Sequence, residues 1–276
     1  MHLLVRDSRS LDQDEVPVDL GQSPADLVFL SYSDSDLGAA AAAWQADAGL
    51  PGLRLANLAQ LRHPMSVDLY VEQVIEHAQC VVVRLLGGLD YWRYGAEEVA
   101  ATCRRMGTPL ALLPGDGNDD FRLAELSIVA PGMRTRLAGY LSQGGPANTA
   151  HALELAAHLA GLGEDAHAVP EPMPIFGVHD VGIPDRPGGL MAAIVFYRSY
   201  LLAGDAAPIE ALAAELLQHD LNVRALFVSS LKDTDAGAFV RAALLDWSPA
   251  VVLNATGFSA RLDGHASPLD AAGVPV

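Results

Sequence analysis

The chain has one lysine, two cysteines and no apolar run near the length of a membrane span, and each scarcity excludes a class of function. A spanning helix needs about 18 or more consecutive apolar residues. The hydrophobic content of 51% and mean hydropathy of +0.22 therefore reflect Ala-rich helices and buried strands. Lys232 follows Leu231, so no G-x-x-x-x-G-K-[ST] phosphate cradle exists, and the chain is not expected to hydrolyse ATP itself. Cys80 and Cys103 are scattered and make neither a disulfide framework nor a zinc knuckle. The 9 histidines include no H-x-x-x-H or H-E-x-x-H pair, so no metal cage is expected. Positive charge is also short, at 17 basic against 34 acidic residues and a net charge of -17. That balance works against binding phosphate backbones, and nucleic acid is not an expected partner. Nor is a membrane. The N-terminal MHLLVRDSRSLDQDEV is too short in apolar residues for a signal-peptide core and reads as a first strand, and the cytoplasm is the expected compartment.

What is present is the pattern of an α/β protein. Buried-strand runs occur at Leu27 to Leu30, Leu53 to Leu58, Cys80 to Leu86 and Leu110 to Leu113. Val67, Tyr70, Val71, Val74, Ile75 and Ala78 fall at helical spacing between the second and third, with Ser66 suited to the cap. Ala96, Val99, Ala100 and Cys103 repeat that spacing before the fourth. Nearly continuous apolar strands alternating with helices predict a parallel sheet covered on both faces. Residues 1–163 thus read as an α/β domain with a helical tail. Residues 164–189, with prolines 170, 172, 174, 184 and 187, read as a linker that resists helix and sheet. Residues 190–276 read as a flavodoxin-like βαβαβ unit, with strands at AAIVFY, NVRALFVSS and AVVLN. Three strands make an open sheet that looks incomplete.

Chemistry-bearing residues gather at strand ends. The loop RLLGGLDYWRYG places Arg84, Gly87, Gly88, Asp90, Tyr91, Trp92, Arg93 and Tyr94 after a buried strand. Aromatic rings beside arginines can stack on a flat ligand and pair with its acidic groups. The same rings can instead plug the end of the sheet. Asn57, Arg62 and His63 occupy another strand end, where a histidine before proline is more often a capping or packing residue than a ligand. The acidic stretch PGDGNDD reads as a solvated turn without a helix cap, and SYSDSDL as helix capping. YRSYLLAGD, SSLKD and NATGFSA follow strands of the second unit and share one rim.

In order along the chain, PVDLGQSPADLVFLSYSDSDL, LRLANLAQLRHPMSVDLYVEQV, VVRLLGGLDYWRYG, ALLPGD, GGPAN, YRSYLLAGD and NATGFSA resemble the N-terminal region of the large subunits of aerobic cobaltochelatases, CobN, in the wider family that includes the magnesium chelatase H subunit. The resemblance implies ATP-dependent insertion of cobalt(II), as substrate, into the corrinoid hydrogenobyrinic acid a,c-diamide during cobalamin synthesis. It implies ATP hydrolysis by separate AAA+ partner subunits and no cofactor bound by this chain. Such subunits are far longer, so catalytic residues are not transferred, and the isolated chain is expected not to chelate. The substrate-facing residues expected on this reading are Arg62, His63, Arg84, Tyr91, Trp92, Arg93 and Tyr94. Alternatives are a porphyrin-binding subunit of a magnesium chelatase and a non-catalytic scaffold that docks AAA+ partners.

Overall fold

The computed structural model describes residues 16–115, 120–165, 167–182, 184–257 and 267–276. The expected first strand in MHLLVRDSRSLDQDEV lies almost wholly outside them. One compact unit ends at Pro172 and a second runs Met173–Val276.

In the first unit β1 (Leu27–Ser31), α1 (Asp34–Ala46), β2 (Leu53–Asn57), α2 (Pro64–Gln73), β3 (Cys80–Leu85), α3 (Arg93–Met106) and β4 (Leu110–Pro114) alternate, followed by α4 (Phe121–Leu126), α5 (Pro131–Gln143) and α6 (Pro146–Leu159). The sheet order is β2-β1-β3-β4, and every pairing is parallel. Side chains alternate between its faces with period two. Val28, Leu30, Val81, Val83, Leu110 and Leu112 join Val67, Tyr70, Val99 and Cys103 of α2 and α3 in one core. Leu27, Phe29, Cys80, Val82, Ala111 and Leu113 join Ala40, Leu137, Tyr140 and Ala156 of α1, α5 and α6 in the other. Because β1 and β3 are buried on both faces, their sequences read as nearly continuous apolar runs, interrupted only by Ser31 and Arg84 near their carboxyl ends.

Three local expectations change. His63, not Ser66, caps α2: its Nδ1 accepts the Met65 N–H at 3.1 Å, while the buried Ser66 hydroxyl accepts the Val18 N–H at 2.7 Å. Asp120, the end of the acidic turn, caps α4 by accepting the Arg122 N–H at 3.1 Å; residues 116–119 of that turn lie outside the described set. The helical tail is two helices, separated at Gly144 and Gly145, which both have positive φ. Buried Asn148, from the GGPAN segment, then holds Glu171 by both backbone groups, each at 2.9 Å.

The second unit contains β5 (Phe176–His179), β6 (Leu190–Tyr197), α7 (Arg198–Leu202), α8 (Ala207–Gln218), β7 (Leu221–Val228), α9 (Thr234–Trp247) and β8 (Val251–Ala255). The sheet order is β5-β7-β6-β8, with β6 parallel to both neighbours and β5 antiparallel to β7. The expected linker thus contains a strand, and the sheet has a fourth member. Proline flanks this stretch, but Phe176–His179 is free of it and keeps the N–H groups that an edge pairing needs. Gly177 admits the Phe227 ring, since a Cβ there would stand 2.7 Å from it. Phe176 packs on Phe239 of α9 with ring centroids 4.9 Å apart.

Candidate functional site

In the first sheet β2 lies to one side of β1 while β3 and β4 lie to the other, so the winding reverses between β1 and β3. Doubly wound sheets bind ligands in the crevice beyond the carboxyl ends of such strands. Ser31 and Arg84 stand opposite each other there. Arg84 is 8% exposed and donates from Nη1 to Asp36 Oδ1 at 2.7 Å, while Ser31 Oγ donates to Asp36 Oδ2 at 2.8 Å. Arg84 Nη2 also reaches the Gly115 carbonyl at 3.4 Å. The arginine therefore ties together the loops after β1, β3 and β4, and its charge is already paired.

The loop after β3 explains its paired glycines. Gly87 and Gly88 have φ of +83 and +78, in the left-handed region that side chains disfavour. A Cβ on Gly87 would stand 2.5 Å from the Tyr91 ring, and one on Gly88 would stand 2.9 Å from Asp120 Oδ2. Tyr91 folds back over the turn yet remains 71% exposed, and its carbonyl accepts the Tyr32 hydroxyl at 3.1 Å. Trp92 turns the other way. It is 5% exposed within the α2–α3 core, and its indole N–H donates to the Leu61 carbonyl at 2.8 Å. Gly95 makes room for it, because a Cβ at that position would lie 2.1 Å from the ring.

An ion network surrounds the turn. Arg122 donates to both oxygens of Asp120, at 2.9 and 2.8 Å, and to both oxygens of Asp90, at 3.1 and 3.0 Å. Asp120 Oδ2 also accepts the Leu89 N–H at 3.1 Å. Arg93 pairs with Asp90 and with Glu97, and the Tyr94 hydroxyl donates to Asp68 at 2.7 Å. That hydrogen bond pushes the Tyr94 phenol up to about 12. Hydrogen bonds from the Arg122 side chain and the Leu89 N–H hold the Asp120 carboxyl far below the usual carboxylate range, and Arg122 and Arg93 lower Asp90 in the same way.

The sign of the pH effect follows. A depressed folded pKa contributes stability that is full above about pH 4, where the unfolded carboxylate titrates, and is lost as pH falls from there through the folded value. Asp120→Asn should therefore lower the urea midpoint at pH 7, and its curve should converge on the wild-type curve below about pH 4. Urea titrations across that range provide the check, and a midpoint difference independent of pH would contradict the network.

The structure gathers Arg84, Tyr91, Trp92, Arg93 and Tyr94 on one loop and the start of α3, but divides their roles. Arg84 and Trp92 face inward, so the expectation that they meet a ligand does not match their surroundings. Tyr91, Arg93 and Tyr94 are exposed, as is Arg62, while His63 is half-buried as the α2 cap. Sequence reasoning missed Arg122, Asp120 and the 69% exposed Phe121 between them. The signal was Asp120 one residue before an apolar helical stretch, a capping pattern hidden by the acids ahead of it. Among the described residues no group of three or more His, Cys, Asp or Glu is placed to hold a metal ion. Burial pushes the Cys80 and Cys103 thiols up to about 12. No described helix is long and apolar enough to cross a membrane.

The first unit is thus a doubly wound α/β domain whose polar loops crowd the strand carboxyl ends. A family model described as CobN/Magnesium Chelatase matches residues 138–276, and the chain belongs to that family. It is 37% identical to the aerobic cobaltochelatase subunit CobN of Sinorhizobium sp, over 100% of this chain and 23% of that protein. It is 34% identical to the Pseudomonas aeruginosa subunit of the same name, over 94% of this chain and 22% of that protein. The chain therefore spans less than a quarter of these relatives, and it corresponds to an N-terminal portion of CobN. The solved catalytic subunit of cobaltochelatase from Mycobacterium tuberculosis shares the fold, with a TM-score of 0.67 and 24% identity over 86% of this chain and 19% of that one.

Proposed function

We propose that this chain is part of the subunit that holds a corrinoid, hydrogenobyrinic acid a,c-diamide, while cobalt(II) is inserted during cobalamin synthesis. In this reading ATP is hydrolysed by separate AAA+ subunits in the cytoplasm. The likeness to cobaltochelatase subunits along the whole chain carries the proposal. Insertion requires ring nitrogens to lose protons, cobalt to shed water and the macrocycle to stay in place meanwhile, and positioning is the contribution that the exposed rim can make.

The exposed part of the rim suits that task. Tyr91 offers an open ring braced from behind by the Gly87 turn, and Arg62, His63, Arg93 and Tyr94 stand on neighbouring loops and helix starts. Arg84 and Trp92 support this surface from beneath. Stacking on one aromatic ring contributes about 0.5–1.5 kcal/mol, so Tyr91→Ala in the full-length subunit should weaken corrinoid affinity by about two- to tenfold with folding unchanged. Absorbance titration measures it, and unchanged affinity would remove Tyr91 from the substrate surface.

A further inference from the structure

Within the first unit, the loop after β3 and the start of α4 meet at one turn. A Cβ on Gly87 would stand 2.5 Å from the Tyr91 ring, and one on the adjacent Gly88 would stand 2.9 Å from Asp120 Oδ2. The Tyr91 ring and the Asp120 carboxylate therefore cover neighbouring α-carbons. Asp120 also accepts the Leu89 N–H at 3.1 Å, and Arg122 reaches both oxygens of Asp90 at 3.1 and 3.0 Å. Phe121 lies between these two anchors, so its backbone is fixed beside the turn that carries Tyr91.

The short helix explains why the phenyl points outward. Leu123 of α4 is fully buried in the core with α2 and α3, and Leu126 packs against that core. At about 100° per residue, Phe121 falls on the opposite face from Leu123. Among the described residues, Tyr91 at 71%, Phe121 at 69% and Tyr94 at 42% are the three most exposed of the Phe, Tyr and Trp side chains. All three stand on segments that this network joins. Tyr94 spends its hydroxyl on Asp68, whereas a phenyl has no polar atom and gains only from being covered. The charges between the rings are paired with one another: Arg93 with Asp90, and Arg122 with Asp90 and Asp120. This end of the rim therefore presents rings rather than free charge. It suits the face of a flat conjugated ligand, not the acidic groups at that ligand's edge.

We propose that Phe121 is a second ring-contacting residue of the rim, touching the same macrocycle as Tyr91, and that Arg122 is the positioning residue that holds the two loops together. The inference rests on the corrinoid reading above and adds the start of α4 to its surface. Absorbance titration of the full-length subunit with hydrogenobyrinic acid a,c-diamide provides the test. Phe121→Ala should weaken affinity about two- to tenfold, while Phe121→Trp, which keeps a stacking ring, should match or exceed the wild type. Both changes are at an exposed position and should leave the circular dichroism spectrum unchanged. Arg122→Met should also weaken binding, and in that background Phe121→Ala should cost less than about twofold, because the ring is no longer held beside Tyr91. An undiminished Phe121→Ala effect there would overturn the positioning role. Unchanged affinity in Phe121→Ala, alongside weakened binding in Tyr91→Ala, would overturn the inference, leave the corrinoid reading intact and assign the exposed phenyl to a protein partner. Failure of the wild-type subunit to bind the corrinoid would remove both.

Discussion

Replacing Trp92 with alanine should destabilise the first unit by about 3–5 kcal/mol, the cost of emptying a large aromatic site in a packed core. The indole is 5% exposed and contributes a hydrogen bond to the Leu61 carbonyl as well as volume. Trp92→Phe keeps much of the volume but leaves that carbonyl unpaired, so it should cost less, about 1–3 kcal/mol. The sharper outcome concerns Gly95. In the wild type, Gly95→Ala forces a Cβ to within 2.1 Å of the Trp92 ring and should be destabilising. In the Trp92→Ala background the obstruction is gone, and the same change should stabilise by up to about 1 kcal/mol through helix propensity. Urea unfolding of the four proteins in this cycle measures the reversal, and additive effects would show that the ring does not occupy the Gly95 notch.

Arg84→Met should cost about 2–4 kcal/mol, somewhat below the range for a fully buried pair because the Asp36 side chain is 15% exposed. The loss arises because Asp36 keeps only the Ser31 hydroxyl on one oxygen and faces a low-dielectric crevice with the other. Replacing both members, Arg84→Met with Asp36→Leu, should recover most of that stability, since two apolar groups need no solvation. If Arg84 served an external carboxylate instead, Asp36 would tolerate its loss and the double variant would be no more stable than the single one. Thermal unfolding of the wild type, the single variant and the double variant distinguishes these cases.

Strands whose two faces are both buried are legible in the sequence. Cys80–Leu85 is buried at every position, and a short run that is apolar but for Arg84, set between two helical patterns, is what a strand covered by helices on both sides requires. β5 escaped because four proline-free residues sit in a proline-rich stretch, and their pairing with β7, about 50 residues away, has no local signature. The aromatic loop was visible as a cluster, but the direction of each ring was not. Trp92 turns inward because Gly95, three residues on, leaves a notch, while Tyr91 turns outward over Gly87. Arg122 was invisible for a related reason: its partner Asp90 is 32 residues away, and only the fold brings the two loops together.

Whether this chain belongs to the part of a cobaltochelatase that holds a corrinoid is tested most directly by equilibrium absorbance titration. The full-length subunit is titrated with hydrogenobyrinic acid a,c-diamide and, in parallel, with protoporphyrin. The expected result is a saturable spectral change with the corrinoid at lower concentration than with the porphyrin, weakened by Tyr91→Ala. Tighter binding of the porphyrin, or no saturable change with either macrocycle, would contradict it.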